Sequence, residues 1–276
     1  MQYRSCEGHS LLVHSGEWSS YCLPYIKPYR EGGANRGLGL EMVKQLLEAH
    51  CSKVFAACRD PDGPNSEVLR ELARKHLGVV TLVKLDIADP SSIKESAEKV
   101  GSLLGEKGLN LLVNNAAILP QKTMLTATVE DMHNAFNTNV IGPLFVIREY
   151  LPYLRAAAKA SGKPGMSSCK AAVINISTDS ASMSMIPSMK DPFPFFPYSI
   201  SKAGLNMLTV YTARDLKADE ILCISIHPGW VRTDMGTNEA TLDTRESVEG
   251  MLRVIGSLTE KESGGFVDYT GKTMPW

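Results

Sequence analysis

The sequence predicts a single α/β domain with a doubly wound parallel sheet in three α/β/α layers. Two observations carry this prediction. Strand-like and helix-like segments alternate from residue 32 onwards, and the strand-like segments are almost continuously apolar. Continuous apolar strands indicate a sheet that is covered on both faces. The length of 276 residues suits one large domain of this class.

Short runs rich in apolar and β-branched residues predict the strands, which are 53–58, 79–87, 109–113, 171–176, 221–226 and 266–269. Apolar residues at helical spacing predict the helices, which are 40–49, 66–77, one that begins at Asp89-Pro90, 129–155 and 198–216. Pro90 suits the first turn of its helix. We expect the long helix 129–155 to bend or restart near Gly142-Pro143.

The first 31 residues break this alternation. A first strand should lead directly into the glycine-rich turn, but the residues before Gly32 include Pro24 and Pro28, which are poor in a central strand. The more strand-like run is Leu11-Leu12-Val13, well upstream. We therefore expect the first strand to be atypical or missing, with an atypical N-terminal segment at 1–31 and the domain at 32–276.

Composition excludes several classes of protein. A net charge of −1 argues against nucleic acid as the main partner. The apolar runs are too short to span a bilayer, and the N-terminus lacks a secretory pattern. The six cysteines have neither zinc-site spacing nor a disulfide pattern. We expect a cytoplasmic protein with reduced thiols and with no metal, nucleic-acid or membrane partner.

A glycine-rich turn precedes the first helix. Glycine lets the backbone approach a phosphate closely, and the amides at a helix N-terminus then face the anion. The spacing Gly-x-x-x-Gly-x-Gly differs from the common dinucleotide fingerprint, so a loop that merely caps the helix stays open as an alternative. The candidate cofactor contacts in this turn are Gly33, Asn35, Arg36, Gly37, Leu38 and Gly39.

Two arginines favour NADP over NAD. Arg36 lies between the glycines, and Arg59 follows the strand at 53–58. A carboxylate at that strand end would hold the ribose 2′-hydroxyl of NAD, whereas a cation accommodates the 2′-phosphate of NADP. The nearest acidic residue, Asp60, comes only after Arg59. For each arginine, a solvated surface charge is the alternative.

Tyr198 and Lys202 are four residues apart, and so lie on one face of a helix. A nearby ammonium lowers the pKa of a phenol, which makes the tyrosine a better proton donor. About twenty residues earlier, Ser177 and Thr178 end a strand, where a hydroxyl could stabilise a developing oxyanion. A tyrosine and a lysine on a half-exposed helix, and hydroxyl residues in a turn, are the alternatives.

Together these residues resemble the short-chain dehydrogenase/reductase family, and within it the sniffer-type, C-factor-like carbonyl reductases. The resemblance runs from about residue 32 to 276 and includes Asn114-Asn115-Ala116-Ala117 and the run Pro228-Gly-Trp-Val-Arg-Thr233-Asp. It implies a Rossmann fold and an NADP(H)-dependent carbonyl reductase. An epimerase of the extended branch shares the Tyr-x-x-x-Lys motif, but the shorter chain and the Asn-Asn-Ala motif disfavour it.

The resemblance also implies roles for individual residues. The implied catalytic set is Asn139, Thr178, Tyr198 and Lys202. By this resemblance, Tyr198 would protonate the carbonyl oxygen, Lys202 would bind the nicotinamide ribose, and Asn139 would help to hold a proton relay. Thr178 stands where the family has serine, and Ser177 and Ser180 are alternatives. The implied cofactor contacts beyond the turn are Arg59, Asp86, Ile87, Asn114, Ala116, Tyr198, Lys202, Pro228, Gly229, Val231 and Thr233.

The segment between the two catalytic motifs bears on the substrate. Residues 183–197 are rich in Met, Phe and Pro, which suggests an apolar wall for a small hydrophobic carbonyl compound. A surface loop packed on its own aromatics is the alternative. The family commonly dimerises through the helices at 129–155 and 198–216, so we expect a homodimer. A non-catalytic NADP(H)-binding or sensing protein of the same fold is the alternative function.

Overall fold

The computed structural model describes residues 9–13, 29–31, 33–189 and 194–276. The strands in these ranges are β1 (His9–Val13), β2 (Tyr29–Glu31), β3 (Lys53–Cys58), β4 (Val80–Lys84), β5 (Leu111–Asn114), β6 (Ala117–Leu119), β7 (Ala172–Ile176), β8 (Leu222–His227) and β9 (Phe266–Asp268). Seven of them form one sheet in the order β4-β3-β1-β5-β7-β8-β9, with every neighbouring pair parallel. The predicted doubly wound parallel sheet is confirmed.

A strand occupies the slot that the sequence left in doubt. β1 lies between β3 and β5, with Ser10 opposite both Val54 and Leu111. The first strand is therefore present, and it is atypical because residues 14–32 separate it from the glycine turn. β2, within that stretch, pairs antiparallel with β6. The division of the chain at residue 32 stays a prediction.

Helices cover both faces of the sheet. They are α1 (Gly37–Glu48), α2 (Glu67–Lys75), α3 (Pro90–Leu104), α4 (Val129–Phe136), α5 (Gly142–Ala160), α6 (Phe196–Asp215) and α7 (Thr244–Ser257). The Asp89 carboxylate caps α3 by accepting from the Ser91 amide at 2.9 Å. Of these helices, α7 was not predicted from the sequence. In the part of the chain that the structure describes, no helix is long and apolar enough to cross a membrane.

The helix predicted at 129–155 is interrupted. α4 ends at Phe136, a π-helical turn spans Asn137–Ile141, and α5 begins at Gly142 and continues to Ala160. A Cβ at Gly142 would lie 2.6 Å from the Ile87 carbonyl oxygen. Glycine therefore lets the start of α5 pack against the loop between β4 and α3. Such π turns often occur at functional sites, and this one contains Asn139.

Alternate residues of each central strand enter two different apolar cores. In β3, Val54 and Ala56 pack with α1 and α7, whereas Phe55 and Ala57 pack on the opposite face with α3 and α5. This period of two follows from the alternation of side chains along a strand. Both faces are buried, which explains why the strands read as continuous apolar runs.

The cysteines only partly follow the expectation of reduced thiols. Cys51, Cys58 and Cys223 are free, and burial raises the pKa of the Cys223 thiol to about 12. Cys169 is disulfide-bonded. The expectation was therefore wrong at Cys169.

Leu112→Ala should destabilise the protein by about 2–5 kcal/mol, because Leu112 is completely buried in β5 and its truncation leaves a cavity. Leu77→Ala is the matched control, since Leu77 is 82% exposed and its loss should change stability by about 0.5 kcal/mol or less. Urea denaturation followed by circular dichroism measures both. Equal unfolding midpoints for the two variants would contradict the assigned core.

Candidate active site

The carboxyl ends of the parallel strands bring the predicted site residues to one edge of the sheet. Arg59 follows β3, Asp86 follows β4, Asn114 ends β5, Thr178 follows β7 and Pro228 follows β8. Because these strands run in the same direction, their ends share one edge, where doubly wound sheets bind ligands. The fold thus gathers residues that are up to about 170 positions apart in sequence.

The backbone of the glycine turn packs closely against itself and against the sheet. Gly37 has φ of +52°, in the left-handed region that favours glycine. A Cβ on Gly39 would lie 2.0 Å from the Gly33 carbonyl oxygen, so a side chain at this position cannot fit without moving the turn. The Ala34 amide donates to the Ala57 carbonyl at 3.2 Å, which ties the turn to β3. The open N-terminus of α1 therefore faces the sheet edge.

The two arginines of the cofactor hypothesis lie on different loops. The Arg36 guanidinium pairs with the Asp234 carboxylate at 3.2 Å, so it links the glycine turn to the loop after β8. Arg59 is half-buried at the end of β3. After it, Arg70 fixes the loop by donating to the carbonyls of Pro61 and Gly63. The Arg36–Asp234 pair lies at the surface, where an ion pair is worth about 0–1 kcal/mol. A bound phosphate can therefore replace Asp234 at little cost.

Several buried polar atoms at this edge suit a polar ligand such as a dinucleotide. Among the described residues, Asn35 Oδ1, Arg36 Nε and Asn114 Oδ1 are buried and have no hydrogen-bond partner. Leaving such atoms unpaired is costly, which indicates that a ligand or water completes them. Four other predicted contacts have buried side chains and would meet a cofactor through main-chain atoms; they are Leu38, Ile87, Ala116 and Val231.

Tyr198 and Lys202 lie together on α6. The Lys202 ammonium is 5.8 Å from the centroid of the Tyr198 ring and donates to the Ile176 carbonyl at 2.6 Å. Lys202 is only 2% exposed and Tyr198 only 8%. The cation is thus held beneath the phenol at the end of β7.

Asn139 fixes the neighbouring strand β6 to this pair. Its side-chain amide exchanges two hydrogen bonds with the main chain of Ile118, at 2.9 and 3.0 Å. It also donates to Ser201 Oγ at 2.9 Å, and that hydroxyl donates to the Tyr198 carbonyl. Asn139 is fully buried, so its side chain is committed to positioning these elements.

The two candidate hydroxyls after β7 differ in availability. Ser177 is buried, and its hydroxyl donates to Asn206 Oδ1 at 2.7 Å. Thr178 is more exposed, and its hydroxyl donates to the Asp179 carboxylate at 3.0 Å and lies 3.3 Å from Ser180 Oγ. The geometry favours Thr178, with Ser180 beside it, as the hydroxyl that a substrate could reach.

The loop after β8 is held in a fixed shape. Gly229 has φ of +81°, and a Cβ there would lie 2.3 Å from a methyl carbon of Leu242. Val231 pairs with Leu242, and Thr233 Oγ1 accepts from the Gly236 amide at 3.2 Å. The Pro228 carbonyl accepts from Ser247 Oγ on α7 at 2.6 Å. The predicted carboxamide and pyrophosphate contacts therefore stand on a rigid loop.

A buried polar chain beneath the site was not predicted from the sequence. The Asn114 amide donates to Asn175 Oδ1, and Asn175 donates to Thr209 Oγ1, each at 2.8 Å. Thr209 Oγ1 lies 2.8 Å from Ser225 Oγ. The chain links three strands to α6. Its signal in the sequence is a polar residue inside an apolar strand, as at Asn175 and Ser225.

His227 is a second residue near the site to which the sequence assigned no role. Burial lowers its pKa, although the carboxylates of Asp179 and Asp268 act in the opposite direction. Its Nδ1 accepts from the Asp179 amide at 3.3 Å, which requires that nitrogen to be unprotonated. The 3.9 Å approach of Nε2 to the Asp179 carboxylate is therefore not an ion pair of a charged histidine. A neutral His227 thus supports the turn that carries Thr178.

Comparison with known proteins agrees with this geometry. The family model described as short chain dehydrogenase matches residues 32–243. An NADPH-bound carbonyl reductase from chicken fatty liver superposes with a TM-score of 0.85 at 39% identity, covering 97% of this chain and 98% of its own. The carbonyl reductase Sniffer of D. melanogaster gives 0.84 at 30% identity, covering 97% and 99%. An uncharacterized oxidoreductase of Schizosaccharomyces pombe is 30% identical, covering 91% and 98%.

Gly39→Ala should abolish or strongly weaken binding of a nicotinamide cofactor, because the new methyl group would collide with the backbone of the glycine turn. Gly256→Ala is the matched control: nothing lies within 4 Å of its Cβ, and alanine in a helix stabilises by about 1 kcal/mol or less relative to glycine. Isothermal titration with NADPH measures both. Wild-type affinity in Gly39→Ala would show that the turn does not cradle the cofactor.

Proposed function

The chain belongs to the short chain dehydrogenase family, and we propose that it is an NADP(H)-dependent carbonyl reductase. It reduces a small hydrophobic carbonyl compound, or oxidises the corresponding alcohol. The observation that carries this proposal is the placement of Tyr198 above the buried Lys202 ammonium, at the sheet edge that also holds the glycine turn. Similarity to an NADPH-bound carbonyl reductase supports the reaction class.

The chemistry follows from the positions of these side chains. The carbonyl carbon would accept a hydride, which is the chemistry that NADPH would supply when it is bound. Tyr198 donates its hydroxyl proton to the carbonyl oxygen, which completes the alcohol. Lys202 stabilises the phenolate that remains, because an ammonium at short range in a buried site interacts strongly with an anion. Thr178 turns its hydroxyl proton from the Asp179 carboxylate to the same oxygen when substrate binds. Asn139 holds β6 and α6 in fixed relative positions.

Arg36 and Arg59 select NADP over NAD in this proposal. On cofactor binding, the Arg36 guanidinium leaves its ion pair with Asp234 and pairs with the 2′-phosphate instead. Arg59 contacts the same phosphate from the end of β3. Asp86 borders the adenine and Asn114 the adenine ribose. The remaining contacts come from the glycine turn and from the loop after β8, through Pro228, Gly229, Val231 and Thr233. All of these assignments are part of the proposal.

The substrate pocket is apolar. Phe195 and Met235 pack against the small apolar cluster of Ala117, Leu119 and Tyr198. The Phe195 ring meets the Tyr198 ring edge to face, with the centroids 6.5 Å apart. Apolar side chains also stay exposed on the segments that flank the site; they are Met183, Ile186, Phe196 and Trp230. Pockets for small molecules are mostly apolar with a few polar anchors, which here are Thr178 and Tyr198. A hydrophobic carbonyl compound fits this chemistry.

The proposal extends to a homodimer and a cytoplasmic location. Large apolar side chains are exposed on or next to α4, α5 and α6, the helices expected to dimerise; they are Val129, Ile141, Leu144, Met207, Val210 and Tyr211. Such a patch is typical of a protein interface. The free thiols of Cys51, Cys58 and Cys223 support a reducing compartment, while the disulfide at Cys169 does not.

Tyr198→Phe should lower kcat/KM for carbonyl reduction by about 10² to 10⁴, the usual contribution of a general acid. Tyr211→Phe is the matched control, because this tyrosine lies half-exposed on the same helix and its loss should leave turnover unchanged. The assay follows NADPH oxidation with quinones, isatin-like diketones and aldehydes. Full activity in Tyr198→Phe would refute the mechanism.

A non-catalytic NADP(H)-binding or sensing protein is the second candidate. One observation favours it: the Thr178 hydroxyl proton is engaged by the Asp179 carboxylate rather than directed to a substrate. The same experiments separate the two. Tight NADPH binding without turnover of any of these carbonyl compounds favours the sensing function, and NADPH oxidation that depends on Tyr198 favours the enzyme.

Arg36→Ala and Arg59→Ala should each weaken NADPH binding by about 10- to 100-fold, the loss expected for one charge-assisted hydrogen bond. NADH affinity should change little, since NADH lacks the 2′-phosphate. Arg148→Ala removes a surface arginine on α5 and serves as the control. Isothermal titration with both cofactors measures the ratio. Parallel losses for NADPH and NADH would mean that these arginines do not read the phosphate.

A further inference from the structure

The end of the chain folds back along the last strand of the sheet. A turn at 268–272 reverses the backbone, and Thr273 pairs antiparallel with Val267. The Met274 amide then donates to the Phe266 carbonyl at 2.8 Å. The side chain of Met274 is 8% exposed. This return segment is therefore fixed to β9 and carries Trp276 to a defined place.

Trp276 rests on the sheet through its ring and reaches a loop through its main chain. Its ring stacks on the buried Phe266 ring, with the centroids 5.6 Å apart. Its main-chain oxygen accepts two hydrogen bonds from Ser184, from the amide at 2.9 Å and from Oγ at 2.7 Å. One tryptophan thus joins β9 to residues 92 positions earlier in the sequence.

Ser184 lies in the loop between the two catalytic motifs. Consecutive hydrogen-bonded turns lead from Thr178 to it: the Ala181 amide donates to the Thr178 carbonyl at 3.1 Å, and the Met185 amide donates to the Ser182 carbonyl at 3.1 Å. Ser182 is fully buried. The loop is thus stiff at its start, and the contact with Trp276 holds its outer part.

Two large apolar side chains flank this contact. Met183 is 72% exposed and Ile186 is 45% exposed. Exposed apolar side chains beside a binding site are available to contact the hydrocarbon part of a ligand. Their loop starts at the hydroxyl that would bind the carbonyl oxygen.

We propose that Trp276 is a specificity-determining positioning residue, which anchors the 182–189 loop through Ser184 as the apolar wall for a bulky carbonyl substrate. This inference rests on the proposed function. The wall holds the hydrocarbon part of the substrate, while Thr178 and Tyr198 hold its oxygen. A small carbonyl compound does not reach the wall, so only bulky substrates depend on the anchor.

The test compares a bulky and a small diketone, 1-phenyl-1,2-propanedione and 2,3-butanedione, in the full-length protein. Ser184→Ala removes the Oγ hydrogen bond, whereas Trp276→Ala removes the ring stacking on Phe266 that holds the accepting main-chain oxygen in place. Each should raise KM for the phenyl compound about three- to tenfold, as expected for the loss of about one hydrogen bond. The kcat value, KM for butanedione and NADPH affinity should stay within about twofold of wild type, well below the tenfold that corresponds to 1.4 kcal/mol. Trp276→Phe keeps an aromatic ring for stacking and should restore KM.

Ser188→Ala is the matched control. Among the described residues, the Ser188 hydroxyl donates to the Met185 carbonyl of the same loop at 2.8 Å, away from Trp276. Equal KM changes for Ser184→Ala and Ser188→Ala, or equal changes for both diketones, would overturn the inference. Absence of turnover in the wild-type protein would instead overturn the proposed function.

Hydrogen exchange separates these failures, since it needs no activity. Amides of 182–189 should exchange faster in Trp276→Ala than in wild type, and Trp276→Phe should restore protection. Unchanged exchange in Trp276→Ala would overturn the anchor even if the enzyme is active.

Discussion

Lys202 holds a positive charge in the interior, and the site is organised around the contacts that stabilise this buried ammonium. Its side chain is 2% exposed, and burying an ammonium without partners costs several kcal/mol. The Ile176 carbonyl at the end of β7 accepts from it at 2.6 Å, and the Tyr198 ring lies above it. These contacts require α6 and β7 to keep one relative position. The phenol is therefore placed by the same interaction that stabilises the charge.

Neighbouring polar side chains reinforce this position. Asn139 binds the main chain of Ile118 on one side and Ser201 of α6 on the other. Beneath the site, a chain of hydrogen bonds runs from Asn114 through Asn175 to α6. Buried polar networks of this kind tolerate few alternative arrangements, because a broken bond leaves an unpaired group. They give the site a rigidity that apolar packing alone would not.

The placement of β1 shows how little a parallel sheet depends on the length of its connections. The slot between β3 and β5 needs backbone hydrogen bonds from an extended segment, and His9–Val13 supplies them. Loop-closure entropy grows only slowly with length, so the 14–32 stretch before the turn is tolerated. Because this strand does not lie directly before the glycine turn, its local sequence signal left it in doubt.

The sequence by itself determined six of the seven strands of the parallel sheet, most of the helices, and the edge of the sheet at which the candidate site residues lie. Apolar runs, helical spacing and the cap at Asp89 are local signals, and parallel strands carry their ends to a common edge. Only the tertiary structure decided which hydroxyl is accessible, since Ser177 is bound to Asn206 from α6.

The same holds for the pairing of Arg36 with Asp234 and of Ser184 with Trp276, which join residues 198 and 92 positions apart. Local periodicity carries no information on such pairs, because they form only when separate elements pack against one another.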